Sequence, residues 1–95
     1  MLHLSDISLI ESEGNYCRLH FGANHAMVYR SLSHLEERLD PAIFLRANRH
    51  CIINLRTVRE ITPWPNGGFL VRLASGREIE ISRRQARRLK HLTSL

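Results

Sequence analysis

Short alternating segments separated by turn-forming residues most constrain how this chain can fold. Tyr16–Phe21 alternates polar with apolar side chains, which is the period-two pattern of a strand that buries one face. Glycine-containing turn signals surround this segment and recur later in the chain, at residues 14–15, 22–24, 66–68 and 75–76. Because such turns join neighbouring strands into hairpins, the sequence predicts a mostly β fold of short antiparallel strands.

The same patterns give the bounds of the expected strands. We predict strands at residues 7–13, 16–21, 25–30, 51–55, 69–73 and 77–81. Residues 56–65 either continue the preceding strand or form a new one.

Two segments change to the helical period. Residues 31–40 carry Leu32, Leu35 and Leu39 on one face, which predicts a short amphipathic helix covering the sheet. Ser31 or Ser33 is its expected N-cap, and Pro41 stops it because the residue before a proline disfavours the helical conformation.

The last segment, residues 82–92, predicts a helix with two unlike faces. Ala86, Leu89 and Leu92 form a weak apolar stripe, and the opposite side is cationic. A basic amphipathic helix can also lie on an anionic membrane, but this one lacks bulky aromatic anchors, so we expect no membrane contact.

Positive charge is concentrated in the second half of the chain. Lys and Arg number 14 against 9 Asp and Glu, and 13 of the 14 are arginine. Up to Leu45 there are three arginines against six acids, and beyond it eleven bases against three acids. The planar fork of arginine suits bidentate contacts with phosphates and guanine edges. This clustering favours a phosphate-binding surface over a solvated face that only keeps a protein soluble.

The most basic ordered stretch is residues 44–55, FLRANRHCIINL. Arg46, Arg49 and His50 lead into an apolar, β-branched strand that ends near Asn54. We expect the strand to hold these cationic groups at one end. Asn54 is the polar exception in the strand, and we predict that it is a hydrogen-bonded structural residue.

Several functional classes are not expected. No apolar run is long enough to span a bilayer and no signal peptide is present, so we expect a soluble, cytoplasmic protein that forms one domain, residues 1–95. Cys17 and Cys51 lack zinc-ligand spacing, and Cys17 and His20 would face opposite sides of a strand. We therefore expect neither a metal nor another cofactor.

The sequence also shows no arrangement of residues that is typical of catalysis. His50 and Cys51 are adjacent, so in a strand their side chains point to opposite faces and cannot pair as base and nucleophile. We predict that the protein is not an enzyme.

Three cationic or turn segments have the chemistry that nucleic acid requires: residues 14–18, 46–50 and 82–87. All three lie at the ends of predicted elements. Only Tyr16 and Tyr29 are free of expected core roles, so few aromatic rings remain for stacking on unpaired bases. We therefore expect duplex DNA, and not single-stranded nucleic acid, as the ligand.

Three segments resemble the LytTR-type (LytR/AlgR family) DNA-binding domain: IESEGNYCRLHF, LSHLEERLDPAIFLRANRHCIINL and ITPWPNGGFLVRLASGREIEISRR, followed by the basic tail. The resemblance implies an elongated antiparallel fold of several small sheets, about eight to ten strands in all, with one short amphipathic helix and a basic C-terminal helix or turn. It also implies the effector domain of a bacterial transcription regulator, such as a two-component response regulator, with a receiver or sensor domain upstream.

The resemblance further implies how DNA is contacted. Members of the family read successive major grooves through loops, and each domain is expected to read one half-site of a direct repeat, with two copies on the DNA. By motif position, the expected base-contacting residues are Asn15, Arg49 and Arg84, and the expected phosphate-contacting residues are Arg18, Asn48, His50 and Arg87. The middle motif more commonly has His, Ser and an aromatic residue where this chain has Asn48, His50 and Cys51.

A second hypothesis stays open at this stage. A basic, β-rich module of this kind could instead recognise structured RNA or an acidic protein partner. Competition between duplex DNA and RNA of equal length distinguishes the two.

Overall fold

Eight antiparallel strands in two sheets form the framework of the computed structural model, which describes residues 3–93. The first five strands form one sheet in the order β3-β2-β1-β5-β4, and the last three form a second sheet in the order β6-β7-β8. The predicted domain, residues 1–95, extends two residues beyond the described range at each end. The strands are β1 (Leu9–Glu13), β2 (Tyr16–Phe21), β3 (Asn24–Val28), β4 (Phe44–Asn48), β5 (Cys51–Asn54), β6 (Val58–Pro63), β7 (Phe69–Leu73) and β8 (Glu78–Ile81), and the helices are α1 (Leu32–Glu36) and α2 (Arg83–Thr93).

Glycines close the predicted hairpins. Gly14 has a φ of 59°, and the two-residue turn that it forms with Asn15 leaves Glu13 paired with Tyr16. In the β6–β7 hairpin, a Cβ on Gly68 would lie 2.2 Å from the carbonyl oxygen of Ile81. The missing side chain therefore lets this hairpin approach the end of β8.

Strand β5 is buried on both faces and contributes to two hydrophobic cores. Ile53 packs with residues of the second sheet and with Leu89 of α2, whereas Ile52 packs with Leu32 of α1. The second sheet and α2 thus cover one face of the five-stranded sheet, and α1 covers the other. Because β5 is buried on both faces, apolar residues occupy consecutive positions in it instead of alternating with polar ones.

Asn54 ends β5 and is only 1% exposed. Its Nδ2 donates to the carbonyl oxygens of Ile7 at 2.8 Å and Ser5 at 3.3 Å, and its Oδ1 accepts from the backbone N–H of Arg56 at 2.9 Å. The prediction of a hydrogen-bonded structural residue is confirmed.

One strand was not predicted. Residues 44–48 were expected to lead into the following strand, but they form β4, which pairs with β5 from Phe44 opposite Asn54 to Asn48 opposite Cys51. Buried Leu45 and Ala47 alternate with half-buried Arg46 and Asn48, and this short period-two pattern was obscured by the charged residues.

The first helix is shorter than its leucine spacing predicted. Ser31 is its N-cap, since its Oγ accepts from the backbone N–H of His34 at 3.1 Å, but the helix ends at Glu36 and not at residue 40. The N–H groups of Arg38 and Leu39 bond carbonyls three residues back, which tightens the chain and brings Leu39 into the core.

The third strand also ends early, at Val28, because the chain bends at Tyr29 and Arg30 to enter α1. Neither helix in the described part of the chain is long and apolar enough to cross a bilayer.

Candidate nucleic-acid interface

Two hairpin turns lie at the same end of the five-stranded sheet. The β1–β2 turn contains Asn15, and the β4–β5 turn consists of Arg49 and His50. Strands β1 and β5 pair antiparallel, so the C-terminal end of β1 lies beside the N-terminal end of β5. The backbone N–H of Ser12 donates to the carbonyl oxygen of His50 at 2.9 Å, which ties the two turns together.

The start of α2 joins this end of the sheet. The backbone N–H of Ser82 donates to the carbonyl oxygen of Ala47 at 3.0 Å, so the junction between β8 and α2 lies beside β4. We call the assembled surface the basic edge and define it as residues 14–15, 49–50 and 82–84. The structure therefore brings together the three segments that the sequence separates by more than thirty positions each.

Arg49 and Arg84 line one shared groove of about 510 Å³ between the β4–β5 turn and α2. Both residues are exposed, and among residues 3–93 neither guanidinium bonds another side chain. Their five N–H donors each are therefore available to a ligand that enters the groove. Asn15 is exposed as well, at the tip of its turn.

Arg46 supports the turn instead of facing outward. Its Nη1 bonds Glu36 Oε1 at 2.8 Å, its Nε donates to the carbonyl oxygen of Asn48 at 2.9 Å, and its Nη2 donates to that of Arg49 at 3.1 Å. Unlike Arg49, Arg46 is therefore bonded within the protein. Arg46 fixes the backbone that presents Arg49.

Asn48 uses both polar atoms of its side chain within the protein. Its Nδ2 donates to the carbonyl oxygen of Glu80 at 2.7 Å, and its Oδ1 accepts from the backbone N–H of His50 at 2.8 Å. Its expected contact with phosphate stays a prediction.

The other expected phosphate contacts lie around the basic edge. Arg18 pairs with Glu13 at 2.8 Å close to the β1–β2 turn. His50 is exposed in the β4–β5 turn. Arg87 is exposed on α2, one turn beyond Arg84, while Arg88 donates to the carbonyl oxygen of Pro41 at 2.9 Å. These three expected roles also stay predictions.

Arg77 was not singled out in the sequence, yet it reaches the basic edge. It lines a second groove, of about 490 Å³, together with Arg49 and His50. Its Nη2 lies 2.7 Å from Glu11 Oε2, and Glu11 Oε1 lies 2.7 Å from His20 Nε2. No local pattern indicates this contact, because it depends on how the two sheets pack.

The Glu11 carboxylate is held in its charged form by this arrangement. Burial raises the pKa of Glu11, but the hydrogen bonds from Arg77 and His20 and their positive charges outweigh burial, so its pKa lies below the usual 4.5. The acid is therefore a fixed anchor for Arg77 at neutral pH.

The cysteines take no part in the basic edge as reactive groups. Both are buried free thiols. Burial raises the pKa of Cys17, and burial together with the charge of Glu11 raises the pKa of Cys51 to about 11. Within residues 3–93, no group of three or more His, Cys, Asp and Glu side chains could hold a metal ion.

Known proteins are similar to this chain over most of its length. The sequence profile of the LytTr DNA-binding domain matches residues 1–94. The CO-responsive transcriptional regulator RcoM of Rhodospirillum rubrum is 37% identical over 87 residues, which cover 90% of this chain and 37% of that protein. The sensory transduction protein LytT of Oceanobacillus iheyensis is 33% identical over 66 residues, which cover 68% of this chain and 27% of that protein.

A third relative matches a similar share. The transcriptional regulatory protein LytR of Staphylococcus aureus is 29% identical over 83 residues, which cover 87% of this chain and 34% of that protein. The chain thus spans 27% to 37% of the length of these three relatives.

A solved structure has the same fold. The LytTr DNA-binding domain of a response regulator from Bacillus cereus superposes with a TM-score of 0.89 at 20% sequence identity, covering 99% of this chain and 86% of that chain. The predicted fold class is confirmed by this match and by the two antiparallel sheets. Since the family profile also covers residues 1–94, this chain belongs to the LytTr DNA-binding domain family.

Proposed function

We propose that this DNA-binding domain recognises a specific duplex sequence by placing the basic edge in successive major grooves on one side of the DNA. The observation that carries the proposal is the convergence of Asn15, Arg49 and Arg84 at one end of the five-stranded sheet. Asn15 and Arg49 lie on short turns between strands, and Arg84 lies in the first turn of α2, so all three exposed groups can reach base edges from the ends of elements. The longest dimension of the described residues is 35 Å. That length is close to the 34–36 Å of one turn of B-DNA, so a domain that lies along the duplex is long enough to reach successive major grooves.

Each side chain has a distinct proposed role. Arg49 and Arg84 donate in bidentate fashion to O6 and N7 of guanine, and the amide of Asn15 bonds N6 and N7 of adenine. Cationic and polar groups around them contact phosphates and fix the position of the domain without reading sequence. This second group comprises Arg18, His50 and Arg87.

The context of the domain supports a role in transcription. Two of the three relatives are named as transcriptional regulators and one as a sensory transduction protein, and the matched segments cover only 27% to 37% of their length. We propose that this domain is the effector part of a regulator with a receiver or sensor domain upstream. Two copies would then bind the two half-sites of a direct repeat. A single domain supplies contacts for only about one helical turn, which is the reason that a second copy increases affinity and specificity.

Selection of bound duplexes from a random DNA pool tests the proposal. We expect a defined sequence to emerge, and we expect Arg49→Ala and Arg84→Ala each to reduce discrimination at one position by about 1–3 kcal/mol. Arg56→Ala is the matched control, because Arg56 is exposed beyond the other end of β5 and its removal changes net charge equally.

Two results would contradict the proposal. One is an unchanged preference for the selected duplex in both Arg49→Ala and Arg84→Ala. The other is a preference for RNA of equal length in direct competition with the duplex, which would favour the RNA-binding hypothesis.

A further inference from the structure

We propose that Asn48 sets the spacing and orientation of Arg49 relative to Arg84, and so acts as a positioning residue for base discrimination. The inference rests on the proposed function of the basic edge. It assigns Asn48 a role in sequence specificity that differs from a contact with phosphate.

The side-chain amide of Asn48 bridges the two segments that carry these arginines. Its Oδ1 accepts from the backbone N–H of His50, the residue directly after Arg49, at 2.8 Å. Its Nδ2 donates to the carbonyl oxygen of Glu80, four residues before Arg84, at 2.7 Å. One short side chain, which itself lines the groove that Arg49 and Arg84 share, therefore links the two segments that carry these arginines.

A bulge in β4 explains why Asn48 can reach β8. Arg46 pairs with Ile52 and Asn48 pairs with Cys51, so Ala47 is the extra residue between them. Bulges bend a strand and redirect the side chains next to them. The carbonyl oxygen of Ala47 accepts from the N–H of Ser82 at 3.0 Å, and the side chain of Asn48 bonds Glu80 beside it.

Two bonds restrict this junction more than one does. The Ala47–Ser82 bond fixes one distance between the two segments, which also pack together in one hydrophobic core. The Asn48–Glu80 bond lies two residues away on the β8 side, so the pair also fixes their relative orientation. Base reading depends on orientation, because a bidentate arginine contact requires both N–H groups to meet their acceptors at once.

The chemistry of the bridge specifies an amide. His50 offers an N–H donor and Glu80 offers a carbonyl acceptor, so the bridging side chain must accept on one side and donate on the other. An ionised carboxylate accepts only, so Asn48→Asp keeps the bond to His50 and loses the bond to Glu80. Asn48→Ala loses both bonds.

The experiment measures dissociation constants of the wild type, Asn48→Ala and Asn48→Asp for the selected operator and for a scrambled duplex of equal length. We expect the ratio of the dissociation constant for the scrambled duplex to that for the operator to fall about tenfold in both variants. A change of this size is the effect of about one well-placed hydrogen bond. Asn24→Ala is the matched control, because Asn24 is an exposed asparagine at the opposite end of the same sheet and its loss should leave the ratio unchanged.

A double-mutant cycle separates positioning from direct contact. If Asn48 orients Arg84, the penalty of Arg84→Ala on operator binding should shrink severalfold in the Asn48→Ala background. Additive penalties would overturn the inference, since independent contacts add. An equal loss of affinity for operator and scrambled duplex, with the ratio preserved, would assign Asn48 to a phosphate and also overturn it.

Folding and function are controlled separately. Thermal unfolding of each variant shows whether it is folded, and if Asn48→Ala does not fold, Asn48→Asp carries the test because it retains the bond within the turn. A wild-type domain without any sequence preference would refute the proposed function of the basic edge. A selective wild type with an unchanged ratio in Asn48→Asp would refute only the positioning role.

Discussion

Glu11 and Arg77 are 66 residues apart in the chain, yet Glu11 Oε2 lies 2.7 Å from Arg77 Nη2. The pair joins β1 of the five-stranded sheet to the residue that precedes β8 of the second sheet. It therefore adds a polar contact between the two sheets beside His50, next to the core that they share.

Replacing Glu11 by Gln should destabilise the domain. Glu11→Gln removes the charge that pairs with both Arg77 and His20, and we expect a loss of about 1 kcal/mol in the free energy of unfolding, because the pair is partly screened by solvent. Urea denaturation measures this difference. Glu37→Gln, at an exposed acid beyond α1, is the control and should stay within about 0.5 kcal/mol of the wild type. Equal stabilities of Glu11→Gln and the wild type would show that the pair contributes nothing.

The contribution of Glu11 should disappear in acid. Its pKa in the folded state lies below the usual 4.5, so its stabilising effect is complete above about pH 4.5 and is lost as the pH falls through the folded-state pKa. The measurement is the difference in unfolding free energy between the wild type and Glu11→Gln as a function of pH. A difference that grows toward low pH has the wrong sign for a carboxylate with a lowered pKa.

Gly68 should tolerate no side chain. A Cβ would lie 2.2 Å from the carbonyl oxygen of Ile81, and this backbone atom can yield only if the end of β8 moves. We expect Gly68→Ala to cost more than about 2 kcal/mol in unfolding free energy and to weaken DNA binding, because Ser82–Arg84 follows Ile81 directly.

Gly22→Ala provides the comparison for Gly68→Ala. Gly22 has a φ of 60° with open space around its Cβ position, so the substitution should cost only about 1 kcal/mol of backbone strain. Thermal or urea unfolding ranks the two variants. If Gly68→Ala is the more stable, the close approach to Ile81 is not a constraint.

Arg87 should govern part of the salt dependence of binding. Loss of one phosphate contact decreases the slope of log K against log salt by about 0.9 in magnitude, so we expect this change in Arg87→Ala. Titrations of the operator at several salt concentrations give the slope. Arg56→Ala should leave it unaltered, and equal slopes in Arg87→Ala and the wild type would remove Arg87 from the phosphate contacts.

Local patterns predicted most strands because alternation and turn chemistry are contained within a few residues. The segment Tyr16–Phe21 and the strands on either side of residues 75–76 are examples. Strand β4 was missed because Arg46 and Asn48 made a buried strand resemble a charged loop. The end of α1 depended on hydrogen bonds three residues apart that leucine spacing does not reveal.

The members of the basic edge were predicted, but their internal contacts were not. Charge and turn type identify Arg49 and Arg84 as candidates from the sequence. The engagement of Asn48 with Glu80 requires β8 to lie beside β4, and the contact of Arg77 with Glu11 requires the second sheet to pack on the first. Contacts of this kind follow from topology, which no single segment encodes.

Asn15, Arg49 and Arg84 lie outside both hydrophobic cores, and this position affects how the operator preference of the domain can evolve. Under the proposed function, substitutions at these exposed positions should change which operator is preferred while costing little folding energy, so that few mutations would be needed to reach a new target. Asn48 and Gly68 are under the opposite constraint. The hydrogen bonds of Asn48 and the close approach of Gly68 to Ile81 support the backbone near the exposed arginines. Libraries that vary these three exposed positions and keep Asn48 and Gly68 unchanged are therefore the most direct way to engineer a domain with a different operator preference.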